Sequence, residues 1–195
     1  MQTLEDKILS EGQIIGEDIL KVDGFLNHQI DIKFLEEIGK EFKRIFDGCQ
    51  VDKILTVEAS GIAVACETAR NFGSVPVVFA KKAKPNTIVE GCYSAEARSF
   101  TKGTVANLRV VKKFVKEGEK VLILDDFLAS GEAAVALIRI AEKAGAEVVG
   151  FGAVIDKSFQ GGRKRIEELG VRVEALASIE KFENGKPVFS KQSND

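Results

Sequence analysis

Hydrophobic positions along the chain switch between two spacings. In residues 31–46, Ile32, Leu35, Ile38, Phe42, Ile45 and Phe46 recur every three or four positions, which predicts an amphipathic helix. Asp31 stands where an N-cap belongs, and Asp47-Gly48 closes the segment. Residues 53–57, KILTV, are a short apolar run of a different kind, the pattern of a buried strand. A second helix is expected over 62–72 and a second strand over 75–80. Strand, helix and strand at this spacing predict a βαβ unit with parallel neighbours.

The same alternation returns later. Val121 to Leu124 form an apolar run, and Ala134, Leu137, Ile138, Ala141 and Ala144 make a helical stripe. Residues 147–155 predict another buried strand, 163–169 a short helix and 171–177 a last core strand. Gly150 and Gly152 lie inside the strand pattern without a third spaced glycine before a helix, so they form no dinucleotide fingerprint. Residues 180–195 are polar and expected to be peripheral. At the other end, residues 3–11 predict a helix with Leu4, Ile8 and Leu9 on one side, and residues 13–31 are less regular. Residues 83–118 break the alternation: two strand-like stretches, 89–98 and 104–111, flank a polar connector. They read as a hairpin reaching away from the sheet, either a lid or a plain surface excursion.

Composition changes this picture little. The 195 residues suit one compact α/β domain; 45% are hydrophobic and 30% charged, with a formal net charge of −2. No basic excess or basic face points to nucleic acid. No apolar run reaches membrane-spanning length, and the N-terminal stretch is acidic and amphipathic, unlike a signal peptide. Cys49, Cys66 and Cys92 are widely spaced and odd in number, which argues for packed thiols in a reducing cytoplasm over a disulfide framework or a zinc site. His28, the only histidine, has no second ligand at useful spacing and reads as structural or surface.

The chemistry gathers at the ends of predicted strands. Residues 58–61, 81–82, 125–131 and 156–159 each follow a strand, and in a parallel sheet all four tips share one edge. The richest is 121–134, VLILDDFLASGEAA: strand, the acids Asp125 and Asp126, a small-residue loop and a helix start. A helix N-terminus offers amide donors and a positive dipole end to a phosphate, and carboxylates accept hydrogen bonds from a polyol. Taken alone, acids after a strand and Ser-Gly before a helix are also ordinary turn and capping chemistry.

This stretch resembles the phosphoribosyl-pyrophosphate (PRPP) signature of the type I phosphoribosyltransferases. The likeness extends to LKVDGFLNHQID (20–31), VEASGIA (57–63), VPVVFAKK (75–82), SFTK (99–102) and DKSFQ (156–160), and is nearest to the branch that acts on purines, xanthine in particular. The resemblance implies a parallel-sheet α/β fold with helices on both faces. It adds a base-binding hood, roughly residues 1–31 with the C-terminal segment, and a lid over 83–118. It implies transfer of ribose 5-phosphate from PRPP to N9 of a purine with release of pyrophosphate. Mg²⁺ would be bound mainly through PRPP, with Asp125 and Asp126 as direct or indirect contacts, and the enzyme would be a homodimer.

Residue by residue, the resemblance assigns Ala129, Ser130, Gly131, Glu132 and Ala133 to the 5′-phosphate, with the Glu132 side chain turned outward. Asp125 and Asp126 take the ribose hydroxyls. Ala59, Ser60 and Gly61 form the pyrophosphate loop, and Lys81 neutralises the leaving group. Ser99, Phe100, Thr101 and Lys102 form the lid tip. Leu20, Asn27 and Lys157 meet the base, with Phe127 or Phe159 stacking on it; on the residues alone, Asn27 equally suits a turn. An amide and an ammonium suit a dioxopurine, whereas Lys157 would face the 6-amino group of adenine donor to donor. The competing readings are hypoxanthine-guanine or adenine transfer, a PRPP-sensing regulator of the same fold, and a phosphate-binding module without turnover.

Relatives that use hypoxanthine and guanine are expected to carry an acid near N7 where Ala129 stands. Xanthine, a more acidic purine, reacts with less help from a base. Ala129→Asp should therefore raise activity on guanine and lower it on xanthine in a side-by-side rate assay. Unchanged rates on both bases would contradict this assignment.

Overall fold

The computed structural model describes residues 1–16, 18–82, 91–99 and 104–190. Among these, six strands form the central sheet, in the order β10 (Lys186–Phe189), β9 (Val173–Glu183), β8 (Glu147–Lys157), β7 (Lys120–Leu128), β3 (Lys53–Val57) and β4 (Val77–Ala80). Its parallel part comprises β3, β4, β7, β8 and β9. The edge strand β10 returns antiparallel to β9 through a turn at Asn184-Gly185. The polar C-terminal segment is thus not wholly peripheral. Its alternating residues extend the sheet by one strand, and Phe182 and Phe189 pack against the core.

Helices cover both faces. On one lie α1 (Gln2–Glu11), α2 (Ile32–Ile45) and α3 (Gly61–Asn71), with a core that includes Leu4, Ile8, Ile38, Phe42, Val64, Leu122 and Leu124. On the other lie α4 (Glu132–Lys143) and α5 (Gly162–Glu167), around Leu55, Val121, Ile123, Leu137, Ile140 and Ile166. Alternation along β7 explains the division: odd positions 121 and 123 face α4, even positions 122 and 124 face α2 and α3. Asp31 caps α2 as expected, its carboxylate accepting from Phe34 N at 3.1 Å. Leu9 and Ile32, assigned to the apolar stripes, remain exposed at 51% and 69%.

The irregular residues 13–31 contain a small antiparallel hairpin, β1 (Gln13–Ile15) and β2 (Ile19–Lys21), and then a π-helical turn, Asp23–Asn27. The excursion after β4 is also a hairpin, β5 (Cys92–Ser99) with β6 (Thr104–Val111). Its inner residues Ala95, Ala97, Leu108 and Val110 pack in the same core as α4. A pair of backbone bonds, Lys81 with Arg109, joins it to the end of β4. Residues 83–90 of the assigned lid, and Phe100, Thr101 and Lys102 of its tip, lie outside the described residues.

Several strands run differently from their apolar pattern. Pro76 has no N–H for the ladder, and β4 begins after it, at Val77. β7 does not stop before the acids. It pairs with β8 as far as Leu128↔Asp156, because β8 itself continues to Lys157. Its pairing with β3 ends at Ile123. Asp125 and Asp126 therefore lie within a strand that has a neighbour on one side only.

Gly150 and Gly152 have a packing role. A Cβ at Gly150 would come within 2.5 Å of the Phe46 ring, and one at Gly152 within 2.7 Å of both Phe42 and Leu124. The bare backbone lets Phe42 of α2 and Phe46 just after it rest on the sheet. Gly152→Val should destabilise the protein by about 1–3 kcal/mol in chemical denaturation. An unchanged midpoint would contradict this packing.

Candidate active site

The four loaded tips do share one sheet edge, at the carboxyl ends of β3, β4, β7 and β8. A cleft of about 820 Å³ opens there between the β5–β6 hairpin and the loop before α4. Asp125, Phe127, Ala129, Ser130, Gly131, Glu132 and Ala133 line it, so much of the 125–134 stretch meets in one place.

The loop is shaped by close backbone contact. Gly131 has φ 79°, and a Cβ there would lie 3.0 Å from Gly162 Cα. Gly162 in turn donates its N–H to Ala129 O at 3.0 Å, and a Cβ on it would strike the Ala129 carbonyl. Two glycines therefore hold the loop against the start of α5. Gly161-Gly162 reads in sequence as a turn alone; only the fold brings it to the loop. At the start of α4, the first-turn amides have no preceding helical carbonyl to bind and can serve an anion.

Asp125 and Asp126 are 6% and 8% exposed. Asp125 Oδ1 accepts the Asp126 N–H at 3.0 Å, and Asp126 Oδ2 accepts from Asn27 Nδ2 at 2.7 Å. Burial first, and then the adjacent Asp126 charge, push the Asp125 carboxyl well above the usual aspartate range. Lys82 opposes that shift weakly from the end of β4. Beside the pair is the turn 58–60, where the Glu58–Ala59 peptide is cis. A Cβ at Gly61 would lie 2.9 Å from Asp125 Oδ1 and 2.4 Å from Thr56 Oγ1, so glycine is required for α3 to start against the acids. The Thr56 hydroxyl is buried there without a partner.

The lysines divide differently from the assignment. Lys82 lines the cleft, and its N–H donates to Glu58 Oε1 at 2.7 Å. Lys81 is not among the lining residues; it is exposed, with Nζ 5.9 Å from the Phe79 ring centre. Side chains alternate along an extended segment, so neighbours face opposite ways. Sequence gives two adjacent lysines and no means of choosing.

The residues assigned to the base lie on the hood side. Leu20 is buried in the α2-side core. Lys157 ends β8, half-buried, with Nζ donating to Asp18 O at 2.7 Å and 5.6 Å from the Phe127 ring centre. Burial lowers its pKa, with the nearby Asp18 charge opposing. Phe127 faces the cleft, whereas Phe159 packs edge-on against Phe182 at 5.7 Å and does not line it. Asn27 bonds to Asp126 and not to a turn backbone.

Glu132 is not turned outward to solvent. Its side chain is 16% exposed and pairs with Arg165 Nη1 at 2.5 Å, while Oε2 accepts from Arg98 N at 3.1 Å. A carboxylate here finds a cation from α5 and an amide from the hairpin. Sequence gave no signal for Arg165, because the contact spans 33 residues.

Comparison with known proteins agrees with this geometry. The family model described as "Phosphoribosyl transferase domain" matches residues 27–188. The chain is 54% identical over 189 residues to "Xanthine phosphoribosyltransferase" of Clostridium novyi, covering 97% of this chain and 99% of that one. It is also 54% identical to "Xanthine phosphoribosyltransferase 1" of Clostridium perfringens, over 97% of this chain and all of the relative. Among solved structures, an adenine phosphoribosyltransferase from Thermoanaerobacter pseudethanolicus superimposes with TM-score 0.68 at 26% identity, over 76% of this chain and 82% of that one. One from Rhodothermus marinus gives TM-score 0.73 at 20% identity, over 92% and 100%, a likeness of fold.

The acid pair has a measurable consequence. An aspartate with a raised folded pKa contributes stability that is complete below its unfolded value and is lost as pH rises through the folded one. Asp125→Asn, which cannot ionise, should gain stability over the wild type progressively as pH rises above the ordinary aspartate range, while losing activity. Parallel stability–pH curves for the two proteins would contradict the shift.

Proposed function

The chain belongs to the phosphoribosyl transferase domain family, and from that premise we propose that it transfers the 5-phosphoribosyl group of PRPP to N9 of xanthine. The products are xanthosine 5′-monophosphate and pyrophosphate. The observation that carries the reading is the cleft that Asp125 and the 129–133 loop line together at the start of α4, with Gly61 at the start of α3 packed against Asp125.

In the reaction the C1′–O bond to pyrophosphate breaks and the C1′–N9 bond forms, through a ribose with oxocarbenium character, with xanthine attacking as its anion after its acidic proton has gone to solvent. Catalysis is then largely positioning and electrostatics. The amides of 129–133 hold the 5′-phosphate. Asp125 and Asp126 hold the ribose hydroxyls and stabilise positive charge developing on the ring. Ala59, Ser60 and Gly61 receive the pyrophosphate, with Lys82 in the place first assigned to Lys81.

A resident metal has no cage among the described residues, where no group of three His, Cys, Asp or Glu side chains converges. The buried acid pair nonetheless suits a cation delivered with substrate, since Mg²⁺ binds through phosphates and few protein ligands. When bound, Mg²⁺ supplies neutralisation of the charge on the departing pyrophosphate.

Leu20, Asn27, Phe127 and Lys157 meet the base. The Lys157 ammonium donates to a 6-oxo group and would oppose a 6-amino group, which favours xanthine over the adenine used by the structural relatives. A homodimer and a cytoplasmic location belong to the same proposal.

The test is pyrophosphate release with PRPP and Mg²⁺ on xanthine, guanine, hypoxanthine and adenine in parallel. Xanthine should be preferred, and Lys157→Met should reduce kcat/KM for it by about 10- to 100-fold with little change in PRPP affinity. Preference for another purine would overturn the base assignment. PRPP binding without turnover would favour a sensor.

A further inference from the structure

The Glu132 carboxylate stands inside a loop assigned to a phosphate. Two like charges there repel, and such an arrangement needs a reason. Glu132 opens α4, and its two oxygens reach different elements. Oε1 pairs with Arg165 Nη1 of α5 at 2.5 Å, and that same nitrogen donates to Ser130 O in the loop at 2.7 Å. Oε2 accepts the Arg98 N–H from β5 at 3.1 Å. One carboxylate thus joins the anion loop, α5 and the hairpin.

The hairpin is a wall of the cleft: Ala97, Arg98, Ala106 and Leu108 all line it. At the other end of α4, Lys143 Nζ donates to Ser94 O at 2.6 Å. β5 is therefore held at both ends of one helix, but only the Glu132 end lies at the cleft. The carboxylate is well suited to this task. Burial would raise its pKa, but the Arg165 guanidinium and the Arg98 amide outweigh that, and the net shift is downward.

We propose that Glu132, with Arg165, is a positioning residue for the transfer reaction, fixing the hairpin wall of the cleft in register with the phosphate loop. The proposal rests on the phosphoribosyl-transfer reading. Its consequence is a split between binding and chemistry. Removing Glu132 removes a negative charge beside the phosphate, so a simple phosphate ester loses nothing. The wall it held is released, so the cleft no longer orients both reactants.

The experiment compares wild type, Glu132→Ala, Glu132→Gln and Lys143→Met by kcat with PRPP and xanthine, by Kd for ribose 5-phosphate, and by hydrogen exchange at the Arg98 amide. Glu132→Ala should lower kcat about tenfold, bind ribose 5-phosphate at least as well as wild type, and exchange Arg98 about tenfold faster. Glu132→Gln keeps an acceptor and should recover part of both losses. Lys143→Met, which frees the wall away from the cleft, should keep wild-type kcat. Wild-type kcat in Glu132→Ala overturns the proposal, as does a loss of ribose 5-phosphate affinity equal to the loss in kcat. If Glu132→Ala does not fold, Arg165→Met is read for the same slowing of kcat and faster Arg98 exchange, and wild-type values overturn the proposal. Absence of turnover in the wild type defeats the functional reading instead, and Arg98 exchange then decides the positioning claim alone.

Discussion

Asp125 and Asp126 are adjacent carboxylates buried at the end of a parallel sheet, and much of the surrounding structure answers to them. Burial and like charge both oppose ionisation of Asp125. The strand that carries them keeps its β8 neighbour and loses its β3 neighbour at this level. The gap is filled by the start of α3, which can approach only because residue 61 is glycine. The Asn27 amide comes from the hood to one carboxylate, and Lys82 approaches from the end of β4. The protein leaves this charge incompletely balanced. On the proposed reading, a polyol with a cation-bearing pyrophosphate supplies the hydrogen bonds and positive charge that offset it.

Local chemistry made much of this legible. The helical stripe and Asp31 cap of α2, the strand–helix alternation and the four chemically loaded tips depend on neighbours in sequence. The missing parts depend on neighbours in space. Apolar pattern ends β7 at Leu124, because an acid normally marks a strand end, but hydrogen bonding to a long β8 carries the strand through both acids. Asn184-Gly185 and a polar tail conceal β10, which exists because β9 offers it an edge. Two adjacent lysines look equivalent in sequence, whereas in the fold Lys82 lines the cleft and Lys81 Nζ lies beside the Phe79 ring. Gly162 and Arg165 carry no motif; the contact of α5 with the phosphate loop gives them their roles.

In the free protein, the groups assigned to the base are already engaged. Asn27 holds Asp126, and Lys157 holds the Asp18 carbonyl. On the proposed assignment, a purine entering the hood exchanges these bonds for its own, and the Asn27 amide then couples base recognition to the orientation of Asp126. That amide–carboxylate bond spans 99 residues of sequence.

The most direct test of the account is a structure of the protein with xanthosine 5′-monophosphate. The account predicts the 5′-phosphate on the amides of 129–133, the ribose hydroxyls at Asp125 and Asp126, and the 6-oxo group at Lys157 with its bond to Asp18 broken. A nucleotide seated with its phosphate away from the 129–133 loop, or with Asp125 and Asp126 untouched, would contradict it.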